Sequence, residues 1–285
     1  MTQYDDLDMI LVECDIVQKE LDKEMHLVDE IQNEIRIQNI NTLRPFSLEN
    51  NDYNAAIESL GEKLANVYVR IKTLILKLWQ LIKTAFDKFL HIFDSTKRKL
   101  TKYKEALANN NIKLTNEQLN YRVEAYNRVT MTNRISVLSN ELNMDWMNSD
   151  GTINQATRVP LSKIGYKFLI NTSANSVSAK YSGDLPKVST LSKHQYDIAD
   201  IKQLVDSALG LYEKYPDYKK KMDEANNNYL KTLESSYQAS DKQRLEFVKA
   251  KYLNTKVAYI VSRTILKEIR TIGKQTITIC KTIGL

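Results

Sequence analysis

The side chains best suited to chemistry in this sequence are nine bases that lie close together in one stretch. They are Lys72, Lys77, Lys83, Lys88, Lys97, Arg98, Lys99, Lys102 and Lys104. Ammonium and guanidinium groups neutralise phosphates whatever the base sequence, and such binding weakens steeply as salt is raised. The stretch therefore predicts contact with a polyanion such as DNA, or with an acidic protein surface.

The first 34 residues carry the opposite charge. They hold eleven acids against two lysines, whereas residues 63–104 hold eleven bases against two aspartates. Segments of such opposite charge can pair with each other, or the basic one can face a polyanion. The sequence leaves both alternatives open.

No catalytic or metal-binding motif accompanies these charges. The three histidines, His26, His91 and His194, are far apart in sequence, and the two cysteines lie near opposite ends of the chain. The sequence has no glycine-rich phosphate loop, no nucleophile elbow and no metalloprotease helix. We therefore expect a non-enzymatic protein with no catalytic residue, no cofactor and no metal. An enzyme on a helical scaffold is the least favoured hypothesis.

The apolar helix that carries four of the lysines is IKTLILKLWQLIKTAFDKFLHIF, residues 71–93. Its apolar residues fill about half of a helical wheel, which predicts a face for a partner or a membrane surface. The candidate residues of that face are Ile75, Trp79, Ile82, Phe86, Phe89 and Phe93. Lysines recur too regularly for a transmembrane span. Burial in a bundle and contact with an anionic membrane surface stay open as alternatives.

The composition favours long helices, because the chain has only seven glycines and four prolines in 285 residues. The expected fold is mainly α: an elongated bundle of long helices with a small irregular or β-hairpin insertion around 150–190. Expected helices cover 4–38, 53–108 with a soft break near Gly61, 115–143, 196–215 and 217–270. Pro216 is expected to separate the last two. The tail 273–285 could extend the helix, form an edge strand or dock on a neighbour.

These elements suggest four regions along the chain. They are an acidic heptad-like helix (1–44), a long amphipathic basic helix with the helix that follows it (45–143), the irregular or β insertion (144–193) and a C-terminal helical region (194–285). The spacing of apolar residues in the first region predicts a coiled-coil-like partner helix.

The order of these segments resembles that of internal head, or inner-body, proteins of large tailed bacteriophages. The resemblance rests on the acidic leader, the segment AAIESLGEKLANVYVRIKTLILKLWQLIKTAFDKFLHIF and the C-terminal helix KVAYIVSRTILKEI. It implies a non-enzymatic virion structural protein that is packaged with DNA inside the phage head, after assembly in the host cytoplasm.

The resemblance also implies partners. Other virion proteins are expected, namely the capsid, the portal or inner-body proteins, together with packaged DNA bound without sequence specificity. The amphipathic helices also allow a homo-oligomer, and a membrane surface is a less favoured partner. The alternative function is a membrane-active helical protein, an ejection-channel component or pore former that inserts residues 65–93.

Overall fold

A computed structural model of the chain describes residues 3–42, 50–109, 135, 166–171, 176–181, 198–235, 241–282 and 284–285. Within these residues the elements are α1 (Gln3–Thr42), α2 (Asn50–Asn109), β1 (Tyr166–Asn171), β2 (Ser176–Tyr181), α3 (Ile198–Ser235) and α4 (Asp241–Thr282). The predicted mainly-α fold is confirmed. The helix expected over 115–143 lies outside the described residues except at Ile135, which is buried.

The two strands lie in the segment where the sequence predicts an irregular or β insertion. They pair antiparallel, with Tyr166 opposite Tyr181 and Asn171 opposite Ser176. Strand β2 also lies against α4. The division of the chain into four regions stays a prediction.

Helices α2 and α4 are the centre of the bundle, because each of them contacts all three of the other helices. Helix α1 runs antiparallel to α2, since Glu13 pairs with Lys77 and the earlier Asp6 pairs with the later Lys88. Helix α3 packs against both α2 and α4. The core is the apolar layer that these helices enclose.

Helix α2 has no break at Gly61, where the sequence allows one. It runs unbroken for 60 residues, which corresponds to about 90 Å. Leu60, Leu64 and Val67 are buried on both sides of the glycine. A glycine within a helix costs about 1 kcal/mol relative to alanine, whereas full burial of one leucine contributes about 1.5–3 kcal/mol. Packing therefore outweighs the local preference.

The expectation that a helix stops at Pro216 is wrong, because α3 contains Pro216 in its interior. Proline lacks the N–H that would bond to the Tyr212 carbonyl, and it costs a helix about 3 kcal/mol. Tyr212, Tyr215 and Tyr218 around it are almost completely buried. Burial of three aromatic side chains, at about 1.5–3 kcal/mol each, offsets that cost.

The expected single helix over 217–270 is also wrong, because α3 ends at Ser235 and α4 begins at Asp241. The two helices lie side by side, and the Tyr229 hydroxyl donates to the Lys251 carbonyl at 2.5 Å. In one straight helix these residues would be about 33 Å apart. Contact between the two apolar faces therefore decides against a continuous helix.

The C-terminal tail continues α4 and ends in a Schellman motif. Leu285 N–H donates to the Cys280 carbonyl and Gly284 N–H to the Lys281 carbonyl, each at 3.1 Å. Gly284 has a φ of 84°, which a residue without a Cβ adopts at no steric cost. Leu285 packs against the core, as the motif favours.

Candidate interaction surfaces

The apolar face of α2 lies in the core of the bundle. All six of its candidate residues have at most 4% of their surface exposed: Ile75, Trp79, Ile82, Phe86, Phe89 and Phe93. In this conformation the face is therefore covered by the chain's own helices. Contact with a partner or a membrane through these residues would require a helix to move away.

The aromatic residues of this face pack against tyrosines of α3. The Phe89 and Tyr215 rings meet edge to face with centroids 4.9 Å apart, and the Phe93 and Tyr212 centroids are 4.8 Å apart. Such pairs contribute about 0.5–1.5 kcal/mol beyond their burial. The Tyr215 hydroxyl donates to the Phe86 carbonyl at 3.2 Å, and burial raises the pKa of this tyrosine.

Trp79 anchors a polar network that joins three helices. Its indole Nε1 donates to Thr255 Oγ1 at 3.2 Å, and the Tyr229 hydroxyl oxygen lies 3.1 Å from the same Thr255 oxygen. The Lys251 ammonium lies 3.9 Å from the centroid of the Tyr229 ring, close enough for a cation–π contact. Burial raises the pKa of Tyr229. Polar atoms buried in this way are satisfied within the bundle, which fixes the relative positions of α2, α3 and α4.

The nine candidate bases of α2 differ in their partners. Lys77 Nζ lies 3.5 Å from Glu13, Lys88 Nζ lies 3.8 Å from Asp6, and Lys104 Nζ lies 2.8 Å from Asp206. The hydrogen bond to Asp206 raises the pKa of Lys104. Lys72 is half-buried on the same helix. At least three of the nine charges are therefore already balanced within the chain.

The other bases form a second group without a carboxylate partner among the described residues. They are Lys83, Lys97, Arg98, Lys99 and Lys102. The Arg98 guanidinium donates to the Asp94 carbonyl one turn earlier, at 3.2 Å. Arg98, Lys99 and Lys102 are exposed and fall within an arc of about 100° on the helix. We call these three residues the free basic patch.

The acids of α1 pair with α2 and, in a regular series, with α4. We call the pairs with α4 the ladder. Its rungs are Asp8–Arg270 at 2.7 Å, Asp15–Arg263 at 2.6 Å, Asp22–Lys256 at 2.9 Å and Asp29–Lys249 at 2.7 Å. Along both helices successive rungs are seven residues apart. Because the helices are antiparallel, a step of seven forward on α1 meets a step of seven back on α4.

Two tyrosines of α4 strengthen the middle rungs. The Tyr252 hydroxyl donates to Asp22 at 2.7 Å, and the Tyr259 hydroxyl donates to Asp15. Burial, followed by the hydrogen bond to the carboxylate, raises the pKa of both tyrosines. Exposed ion pairs contribute at most about 1 kcal/mol, but hydrogen bonds to a charged group contribute about 1.5–3 kcal/mol. The middle rungs are therefore the strongest part of the ladder.

The ladder was not predicted, although its signal is present in the sequence. The opposite charges of residues 1–34 and 63–104 predict pairing with α2 and not with α4. Aspartates spaced by seven in one segment and bases spaced by seven in another indicate two helices in one register. The two series meet only because α4 turns back after α3 and runs antiparallel to α1. The expected continuous helix over 217–270 does not contain this turn.

The described residues contain no group of three or more metal-ligating side chains placed to hold a metal ion. Within the same residues, no helix is long and apolar enough to cross a membrane. The inserting alternative for residues 65–93 gains no support, because the side chains that would enter a membrane are the buried ones.

Helix α2 is also the part of the chain that a known family shares. Residues 47–136 match the family of phiKZ-like phage internal head proteins. The resemblance drawn from the sequence is thereby confirmed for this segment, which is less than half of the chain. The match places the protein inside the phage head, in the virion. Curated proteins and solved structures gave no match.

Proposed function

We propose that this protein is a non-enzymatic structural component of the phage interior, and that the free basic patch of α2 contacts packaged DNA. The observation that carries the DNA contact is that Arg98, Lys99 and Lys102 are exposed and have no carboxylate partner within the described part of the chain. Exposed cations in one arc can neutralise adjacent phosphates, whereas paired lysines must first give up a carboxylate.

The salt bridges within the bundle support this division of the α2 bases into a paired group and a free group. Acidic α1 faces Lys77 and Lys88, in the part of α2 that precedes the patch. The patch follows on the same helix, where Lys104 is held by Asp206 of α3. DNA bound there needs no rearrangement of the helices, since the patch is exposed as the bundle stands.

The test compares two triple variants that remove the same net charge. Arg98→Gln/Lys99→Gln/Lys102→Gln removes the free basic patch, and Lys77→Gln/Lys88→Gln/Lys104→Gln removes paired lysines. Binding to random-sequence double-stranded DNA is measured as a function of salt. Each lost phosphate contact should reduce the slope of log K against log salt by about 0.9.

The slope should therefore fall by up to about 3 for the variant without the free basic patch, and by clearly less for the variant without the paired lysines. Equal loss in both variants would mean that net charge alone governs binding. No salt-dependent binding by the wild-type protein would overturn the DNA contact, while leaving the structural role in place.

The proposed protein partners are the capsid, the portal or inner-body proteins. Contacts between charged surfaces weaken as salt is raised. Purification at low salt from infected cells should therefore recover the chain with one of these virion proteins, and high salt should release it. Recovery of the chain alone from disrupted heads, at every salt concentration, would contradict such partners.

A further inference from the structure

The faces expected to mediate assembly are covered by the chain itself. The apolar face of α2 is in the core, and so is the apolar stripe of α1. Five large apolar side chains of the described residues are mainly exposed: Met9, Val12, Ile16, Ile37 and Val69. Three of them, Met9, Val12 and Ile16, share one face of α1. They are still too few for a standard interface of about 800 Å² per partner. Assembly through the amphipathic faces therefore requires a helix to leave its own bundle.

Helix α1 packs against α2 and α4 along a seam that is not completely filled. Along it lie a small void of about 10 Å³, lined in part by Cys14 and Ser262, and a surface groove of about 270 Å³, lined in part by Ile31 and Arg70. Several buried polar atoms on this seam have no hydrogen-bond partner among the residues that the structure describes: Gln18 Oε1, Glu24 Oε2, Ser262 Oγ and Arg263 Nε. Each such atom costs about 1–3 kcal/mol.

The groove that α1 occupies is apolar at its floor and basic along its α4 side. Its floor includes Val67, Ile82 and Ala85 of α2, which lie beside apolar residues of α1. Its basic side is the α4 half of the ladder. It therefore fits an amphipathic helix with carboxylates seven residues apart. Among the described helices, α1 has a series of four such carboxylates that pairs with α4.

We propose that α1 exchanges between two copies of this chain, each copy's α1 occupying the α2–α4 groove of the other. This inference rests on the proposed role as an assembling structural protein. The exchanged dimer keeps all four rungs of the ladder in each groove. A shift of α1 by one heptad would lose at least one rung, so the ladder fixes the same register in both forms.

Concentration decides between the closed chain and the exchanged dimer. Both forms contain the same helix contacts, so the closed form is favoured mainly because its groove and helix are tethered. A short tether corresponds to an effective concentration on the order of millimolar. Exchange is therefore expected at millimolar chain concentration, as in a packed compartment, and not at micromolar concentration.

The first experiment traps α1 in place with a disulfide. Ser262→Cys, in a Cys280→Ser background, places thiols at positions 14 and 262 around one cavity. After incubation at millimolar concentration and oxidation, a non-reducing gel should show a disulfide-linked dimer. The same chain oxidised at micromolar concentration should give only an internally linked monomer. Internally linked monomer at both concentrations would overturn the exchange.

The matched control adds Cys14→Ser to the same chain. It should give no linked dimer, because the bond under test joins α1 of one copy to α4 of the other. A dimer in the control would show that the two positions 262 meet directly, which also contradicts the exchange.

A second pair of variants tests the exchange of α1 if the thiols fail to oxidise. One chain has Asp8, Asp15, Asp22 and Asp29 changed to Lys, and the other has Lys249, Lys256, Arg263 and Arg270 changed to Asp. Each chain alone has a repulsive ladder, whereas the exchanged heterodimer restores every rung with its charges matched. Mixing should produce a one-to-one heterodimer that neither chain forms alone. Two unchanged monomer populations after mixing would exclude exchange.

These outcomes are separable from failure of the proposed function. A chain that exchanges helices but is absent from purified heads would contradict the structural role alone. A chain recovered from heads that gives only the internal disulfide would contradict helix exchange alone.

Discussion

The Asp15 carboxylate and the Arg263 guanidinium, 248 residues apart in sequence, lie 2.6 Å from each other across the α1–α4 seam. The Tyr259 hydroxyl donates to the same carboxylate. This contact connects the first helix of the chain with the last and repeats, in its essentials, at three other positions along the seam. The acids of α1 therefore hold α1 against α4 as well as against α2.

Asp15→Asn should destabilise the protein by about 1–2 kcal/mol, because it replaces an ionised acceptor of two hydrogen bonds with a neutral amide. The control is Glu20→Gln, which removes the same charge from an exposed position on α1 and should change stability by less than about 0.5 kcal/mol. Urea unfolding at neutral pH measures both. Equal effects would show that the rung contributes only through net charge.

Gly273→Ala should be strongly destabilising because three helices meet at this position. A Cβ there would lie 2.1 Å from the Tyr212 hydroxyl oxygen and 2.9 Å from Thr96 Cγ2. Overpacking of this kind costs about 1–3 kcal/mol. Removing the hydroxyl with Tyr212→Phe should recover part of the loss in the double variant. Thermal unfolding of the single and double variants measures the coupling.

Gly210→Ala is the matched control for this substitution. Nothing lies within 4 Å of a Cβ at Gly210, which is also within a helix. Alanine should therefore stabilise the protein by about 0.5–1 kcal/mol. A loss of stability at both positions would contradict the close approach assigned to Gly273.

The two buried thiols make stability depend on alkaline pH. Burial raises the pKa of Cys14 and of Cys280 from 9.0 to about 12. Between these values the unfolded chain loses the thiol protons and the folded chain keeps them, so the unfolding free energy falls as pH rises. Between pH 8 and pH 10.5 the fall should be about 1–2 kcal/mol per thiol. Cys14→Ala/Cys280→Ala should show a smaller fall, and an unchanged fall would assign the effect to other groups.

The same thiols report whether α1 opens before the rest of the bundle. Their pKa values are raised alike, so a difference in their reaction with a thiol reagent reflects exposure rather than thiolate fraction. In native buffer, Cys14 in a Cys280→Ser chain should react faster than Cys280 in a Cys14→Ser chain. Equal rates, both at the rate of global unfolding, would contradict separate opening of α1.

The sequence alone determined the helical character, the amphipathic face and the resemblance to internal head proteins. Apolar spacing of three and four residues, with few glycines and prolines, is a local signal, and residues such as Phe86 and Phe89 carry it directly. The family match to residues 47–136 falls on that same stretch. Local patterns of this kind need no knowledge of which segments meet.

Only the tertiary structure decided which surfaces are covered and which bases are free. The sequence predicted that α3 would stop at Pro216 and that one helix would follow, but burial of Tyr212, Tyr215 and Tyr218 favours a helix through the proline. The return of α4 then brings its bases to α1. Pairing between residues more than 200 positions apart depends on that return, because charges interact strongly only when the fold brings them within a few ångströms.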